Sequence, residues 1–292
     1  MTLNFVLVGP KDCPAGALHA FLSEGGVTAA DCLSKGHAAH FTANHDLDGA
    51  DIDSLLQRAA RLKLDLFISP KPIEKKKVLV ADMEATIILD EMLDILAVER
   101  GVGDAVAQIT SRAMNGEMDF AQSLVERTAL FAGTPLSQLE TLCAKIRYAP
   151  AAKSLVASMK RSGAKTALVT GGYEIFAKVV ANACGFDEVI ANRPIVKNGI
   201  LTGELDHPIC TSLTKKDTLF RVCRDLGVEP DQACCVGDGA NDLDMLEYAG
   251  LAASYHGKSI VRDRVDLNII HSDLTAILYA QGFRSEDIVD PL

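Results

Sequence analysis

The sequence has no run of eighteen apolar residues, so no membrane span is expected. Its opening residues, MTLNFVLVGPKD, lack the basic flank and the A-x-A cleavage site of an export signal. The eight cysteines include no CxxC pair, and their scatter over 292 residues argues against a disulfide scaffold. The seven histidines show no metal-ligand spacing. Excess positive charge is missing too: 29 Lys and Arg stand against 39 Asp and Glu, a formal net charge of −10. That balance argues against a partner of nucleic acid or of acidic membranes, whose footprint would be basic. A small anionic substrate stays open, because local cations and a metal can outweigh the global charge. A reduced, cytoplasmic globular protein is expected. The oligomeric state is left open, a homodimer included.

What is present is 48% hydrophobic and carries two kinds of pattern. Residues 3–8 read as a strand and 14–24 as a helix. Short strands follow at 30–34 and 38–43, then an amphipathic helix at 50–62 and the strand LDLFI. This β-α-β-β-α-β order fits a small ferredoxin-like α+β domain over residues 1–70. SPKPIEKKK, with two prolines and a lysine run, supplies a linker at 71–76. From residue 77 apolar strands alternate with helices: VLVAD, then TALVT at 166–170, DEVI, ACCVG at 233–237 and DLNII. That is the pattern of a doubly wound α/β core with a parallel sheet, over 77–89 and 147–292. Cys234 and Cys235 read as small core residues of such a strand. Residues 90–146 show only helical periodicity and are expected to form a helical-bundle cap over the strand ends. Its last helix is expected to start with Thr134 as N-cap and Pro135 at the first helical position. Asn198-Gly199, inside 192–206, reads as a hairpin turn.

Polar groups collect where these strands end, and ligands bind at that edge in doubly wound folds. Asp82 and Glu84 follow the first core strand. Thr170-Gly171-Gly172 follows the second as a hydroxyl and a flexible turn opening onto a helix, where backbone N–H groups suit a phosphate. GDGAND follows another, with Asp238, Asn241 and Asp242 around glycines. Upstream of it, TKKDTL places Lys215 and Lys216 at a helix start. Each piece alone has a bland explanation as a cap, a loop or a solvated face. All of them in this order, each at a strand end or helix start, point to phosphoryl transfer.

The set resembles the haloacid-dehalogenase superfamily of phosphohydrolases, with its DxDx[ST], Ser/Thr, Lys and acidic GDxxxD-type motifs. Over roughly residues 77–275 the chain is similar to the phosphoserine phosphatase branch, in the tracts DEMLDILAVERGVGDAVAQITSRAMNGEMDFAQSLVERTALFAG and VTGGY…VGDGANDLDMLEYAGLAASYHGK. The N-terminal segment more weakly resembles an ACT-like extension. The resemblance implies Asp82 as nucleophile, forming an aspartyl-phosphate, and Glu84 as acid/base. It implies Mg²⁺ held by Asp82, the carbonyl of Glu84, Asp238 and Asp242. Thr170, the Gly171 N–H and Lys215 would hold phosphoryl oxygens, with Lys216 the choice if the spacing slips by one. Glu91, Met114, Phe120, Arg127 and Asn241 would receive the rest of L-phosphoserine, making the reaction the last step of serine biosynthesis. The family's second motif acid is normally Asp, and here it is Glu84; Ala85 also replaces a common Ser. Two other expectations stay open on that account: a phosphatase for another small phosphomonoester, or a catalytically weak amino-acid-sensing protein.

Overall fold

The computed structural model describes residues 2–291 apart from 15, 26, 28 and 45–48; the side chains of Asn44 and Met114 also lie outside the described set. The chain opens with β1 (Thr2–Val8), α1 (Ala17–Glu24), β2 (Asp31–Ser34), β3 (Ala38–Asn44), α2 (Gly49–Arg61) and β4 (Asp65–Ser69). These strands form an antiparallel sheet in the order β2-β3-β1-β4, the split arrangement anticipated from the element order. Side chains alternate across a strand, and β1 is apolar in both phases. Phe5 and Leu7 pack with Leu18 and Phe21 of α1, while Val6 and Val8 join the core of the following body. From Phe5 to Val8 neither face of this strand is left for solvent, while Thr2 at its start is exposed.

The second body begins with β5 (Val78–Ala81), fully buried at every residue. It continues through α3 (Met92–Glu99), α4 (Gly103–Met114), α5 (Phe120–Ala129), α6 (Leu136–Cys143), α7 (Ala152–Arg161), β6 (Lys165–Tyr173), α8 (Glu174–Cys184) and β7 (Glu188–Asn192). After a hairpin of β8 (Pro194–Lys197) and β9 (Ile200–Leu205) come α9 (Ser212–Leu226), β10 (Ala233–Gly237), α10 (Leu243–Leu246), β11 (Leu251–Tyr255), α11 (Ser259–Arg262), β12 (Leu267–Ile269) and α12 (Thr275–Tyr279). Six of these strands form one parallel sheet, ordered β12-β11-β10-β5-β6-β7. The order reverses at β5, so β5 lies between β6 and β10 and the three strand ends meet. Among the described residues no helix is long and apolar enough to cross a membrane. No disulfide forms, and Cys234 and Cys235 are buried within β10.

Two local readings need correction, and one strand is new. Thr134 does not cap α6: Pro135 is the N-cap, and the buried Thr134 hydroxyl has no partner among the described residues. The backbone there is extended because it pairs with the β8–β9 hairpin, through Gly133 N to Leu201 O, Leu201 N to Thr134 O and Leu136 N to Gly199 O, at 2.8–2.9 Å. Thr170-Gly171-Gly172 is no free turn either; β6 runs through it to Tyr173 with a register shift. Strand β11 was not anticipated, since LAASY lacks the branched and aromatic run that marks a strand. The hairpin turn itself is as read, with Asn198 at φ 52° and Gly199 at φ 75°.

Candidate active site

Asp82 stands directly past β5, its N–H donating to Val236 O at 3.0 Å. It is 4% exposed. The loop then doubles back, with Ala85 at a left-handed φ of 51° and the N–H groups of Ile87 and Ile88 both donating to Met83 O. Asp82 Oδ1 accepts from Met83 N at 2.8 Å and lies 2.8 Å from Lys215 Nζ. Lys215 projects from the first turn of α9 and also donates to Asp242 Oδ1 at 2.6 Å. Lys216 points elsewhere, its ammonium 5.9 Å from the Tyr248 ring centroid. Burial alone would lower the Lys215 pKa, but Asp242 and Asp82 outweigh it and raise it. Asp82 is pushed up to about 7, first by burial and next by Asp242, against the pull of Lys215.

The GDGAND loop divides its acids between two tasks. Asp242 is wholly buried, and its Oδ2 accepts from Asp238 N at 3.1 Å and Gly239 N at 3.0 Å. Gly237 allows this: a Cβ there would sit 2.2 Å from Asp242 Cγ. Asp242 therefore anchors the loop and Lys215. Asp238 keeps a little exposure, 3.5 Å from the ammonium of the exposed Lys258. Burial raises the Asp238 pKa despite Lys258. Lys258 was not singled out in the sequence; its lysine in the SYHGK tract gives no sign that it returns to Asp238. Asn241 lies on the same turn, its Oδ1 packed against Gly239.

From β6, Thr170 Oγ1 accepts from Gly172 N at 2.9 Å, leaving its own proton free to donate. Gly171 and Gly172 are required for closeness. A Cβ on Gly171 would meet the Phe120 ring at 2.6 Å, and one on Gly172 would meet Glu84 Oε2 at 2.8 Å. Phe120, which opens α5, thus lies over Gly171, and Glu84 leans on Gly172.

The cap side supplies the remaining wall. Glu84 Oε1 accepts from Met92 N at the start of α3, at 2.9 Å. Burial, then Glu91, push its pKa up to about 8. Glu91 lies at the exposed rim, and the protein packed around its carboxyl, followed by Asp238, raises its pKa. Arg127 of α5 is near enough to draw both glutamates down, and its buried Nε has no partner among the described residues. Met114, expected in this wall, has its side chain outside the described residues. Where the chain enters and leaves the cap, Asp90 accepts from Arg147 N, Nε and Nη2 at 2.6–2.8 Å.

Carboxylate oxygens of Asp82, Asp238 and Asp242 all lie within 4.8 Å of one another. Lys215 bonds two of these acids and Lys258 approaches the third from an exposed position, which leaves buried negative charge in excess. Such an all-oxygen set fits a hard divalent cation.

The sequence pattern of haloacid dehalogenase-like hydrolases matches residues 79–247. A phosphoserine phosphatase of Archaeoglobus fulgidus is 36% identical over 79% of this chain and 68% of its own length. Another, from Streptomyces coelicolor, is 33% identical over 80% of this chain and 58% of its own length. Among solved structures, a haloacid-dehalogenase-family hydrolase of Salmonella enterica serovar Typhi superposes with a TM-score of 0.85 at 26% identity, over 96% of this chain and 98% of that one. With the family pattern on more than half the chain, and its motif positions gathered at one sheet edge, the chain belongs to the haloacid dehalogenase-like hydrolases.

Proposed function

We propose that the protein is a phosphomonoesterase that converts L-phosphoserine to L-serine and phosphate, the closing step of serine biosynthesis. The observation that carries this reading is that Asp82, Lys215 and Asp238, with Thr170 near the end of the neighbouring strand, meet Arg127, whose buried Nε has no partner among the described residues, and a glutamate, Glu91, on the facing wall. The first group suits a phosphoryl group. The second offers partners to a carboxylate and an ammonium. Relatives named phosphoserine phosphatase support the substrate.

Asp82 Oδ attacks phosphorus, forming an O–P bond as the bond to the serine oxygen breaks. Glu84 donates a proton to that leaving oxygen; its burial beside Glu91, which raises its pKa to about 8 in the metal-free protein, favours the protonated form this step needs. The resulting carboxylate then takes a proton from the water that attacks phosphorus and frees Asp82. Lys215, the Thr170 hydroxyl and the Gly171 N–H hold the other phosphoryl oxygens where negative charge concentrates. Arg127 grips the substrate carboxylate and Glu91 its ammonium, while Phe120 closes over the phosphate loop and Asn241 adds a polar contact. Asp82, Asp238, Asp242 and the Glu84 carbonyl would hold Mg²⁺, which supplies charge neutralisation between nucleophile and phosphate.

The test is phosphate release from L-phosphoserine with Mg²⁺ and with a chelator. Turnover that depends on Mg²⁺ is expected; its absence with L-phosphoserine sinks the substrate assignment.

A further inference from the structure

The β6–β7 ladder breaks where the phosphate loop begins. Pairing runs to Val169↔Ile190 and resumes at Tyr173↔Asn192, so residues 170–172 face only Ala191. The surplus bulges, as strands do beside active sites, and its peptide groups leave the ladder. One of them is caught by a side chain. Asn192 Nδ2 donates to Gly171 O at 2.8 Å. The other end of the same amide accepts from Cys210 N at 2.7 Å. Asn192 is 1% exposed, so water does not compete for these bonds.

The peptide that Asn192 holds is a rigid plane whose C=O and N–H point in opposite directions. Its carbonyl is Gly171 O; its N–H is that of Gly172, which donates to Thr170 Oγ1 at 2.9 Å. Fixing the carbonyl therefore fixes the hydroxyl oxygen of Thr170 on the far side. Cys210, at the other arm, directly precedes Thr211, the N-cap of the helix that carries Lys215. One buried amide spans the two pieces that face phosphate, although 18 residues separate Asn192 from Cys210.

We propose that Asn192 is a positioning residue for phosphoryl transfer. It locks the Gly171–Gly172 peptide so that Thr170 and the Gly171 N–H are set toward the phosphoryl oxygens, in register with Lys215. This rests on the phosphatase reading above and names a residue which that reading does not use.

Asn192→Ala removes the bonds without adding charge. With L-phosphoserine and Mg²⁺, kcat should fall on the order of 100-fold, as for a displaced oxyanion donor, while KM stays within about threefold. Orthovanadate, a mimic of the five-coordinate phosphoryl group, should lose at least about ten times more affinity than inorganic phosphate. Thr170→Val should add less than about threefold to Asn192→Ala, because both act on one hydroxyl. A kcat within about threefold of the parent, equal losses of vanadate and phosphate, or fully multiplicative effects would each overturn the proposal. Should Asn192→Ala fail to fold, Asn192→Ser takes its place; the vanadate-to-phosphate ratio reports only on folded molecules. If the parent itself leaves L-phosphoserine intact, the substrate assignment fails, and the same affinity ratio still decides the role of Asn192.

Discussion

Two seams run through the molecule, and each contains a buried aspartate treated in the opposite way. Where β4 meets the loop after β12, Asp65 accepts from the N–H groups of Ile270, His271 and Ser272 and from the Ser272 hydroxyl, at 2.6–3.1 Å. Where the cap meets the sheet edge, Asp82 faces Asp242 and Asp238, and Glu84 faces Glu91. Every oxygen of the first acid is used by the protein. The second group is crowded by its own sign, held partly by Lys215, and kept short of compensation. A satisfied buried acid closes a seam; uncompensated acids suit a cation, the role the proposed function gives this one. The first seam is also welded by apolar packing, since Val6, Val8 and Phe67 share a core with Leu278 and Phe283.

The largest effect should come from the second seam without loss of fold. Asp82→Asn should lower L-phosphoserine turnover by at least ~10⁴-fold, as expected of a missing nucleophile. Because Asp82 is pushed up to about 7, a neutral isostere should leave the thermal midpoint of metal-free protein unchanged or raised above pH 7. A marked drop in that midpoint would mean that Asp82 is structural in the manner of Asp65.

Glu84→Gln comes next, with a fall in kcat on the order of 10²–10⁴ for loss of the acid/base. Its stability signature has a definite sign. At about 8 the folded carboxyl binds its proton more tightly than the ordinary 4.5, so stability falls as pH rises between those values. In chelator, parent and Glu84→Gln should melt together at pH 4.5 and below, with the variant ahead by several degrees at pH 8. Parallel melting curves across that window would show that Glu84 is not held in its protonated form.

The first seam predicts the mirror image. Asp65→Ala orphans buried donors that cost about 1–3 kcal/mol each, so a loss of roughly 3–5 kcal/mol is expected in denaturant unfolding. Turnover of the fraction still folded should stay within a few-fold. If Asp65→Ala instead removed activity at unchanged stability, the N-terminal layer would be reporting to the site rather than bracing it.

These two seams were unequally visible in the sequence. The acids at the carboxyl edge of the parallel sheet sit beside long apolar strands, and strand ends are where α/β folds gather ligands, so Asp82, Asp238 and Asp242 could be found by position. The strand alternation that placed them needed only local periodicity. Asp65 could not be found that way: its donors lie 205 or more residues ahead, and an Asp opening a strand looks like any turn residue. Asn192 and Lys258 were hidden for the same reason, each meaning nothing until the chain returns to meet it. Thr134 was misread because a hydroxyl before a proline is a good local cap, and only the distant hairpin explains why its backbone is extended.

The smallest effect sharpens the contrast most. Tyr173 ends β6 and is wholly buried, and its hydroxyl donates to Thr128 Oγ1 of α5 at 2.9 Å, a direct bond from the sheet to the cap. Burial pushes its pKa up to about 12, so the hydroxyl keeps its proton, and the bond, at any working pH. Tyr173→Phe keeps the ring against Phe131 and deletes one hydrogen bond, which should cost about 1 kcal/mol. If the cap seam is held lightly so that substrate can enter, that loss should show as a modest rise in KM for L-phosphoserine with kcat nearly constant. Thr128 lies beside Arg127 on α5, so under the proposed role of Arg127 a loosened helix should weaken the grip on the substrate carboxylate before it disturbs the phosphoryl pocket. A drop in kcat with KM unchanged would place Tyr173 with Asn192, among the residues that set the phosphate loop, and would make the cap seam as firmly built as the one that Asp65 closes.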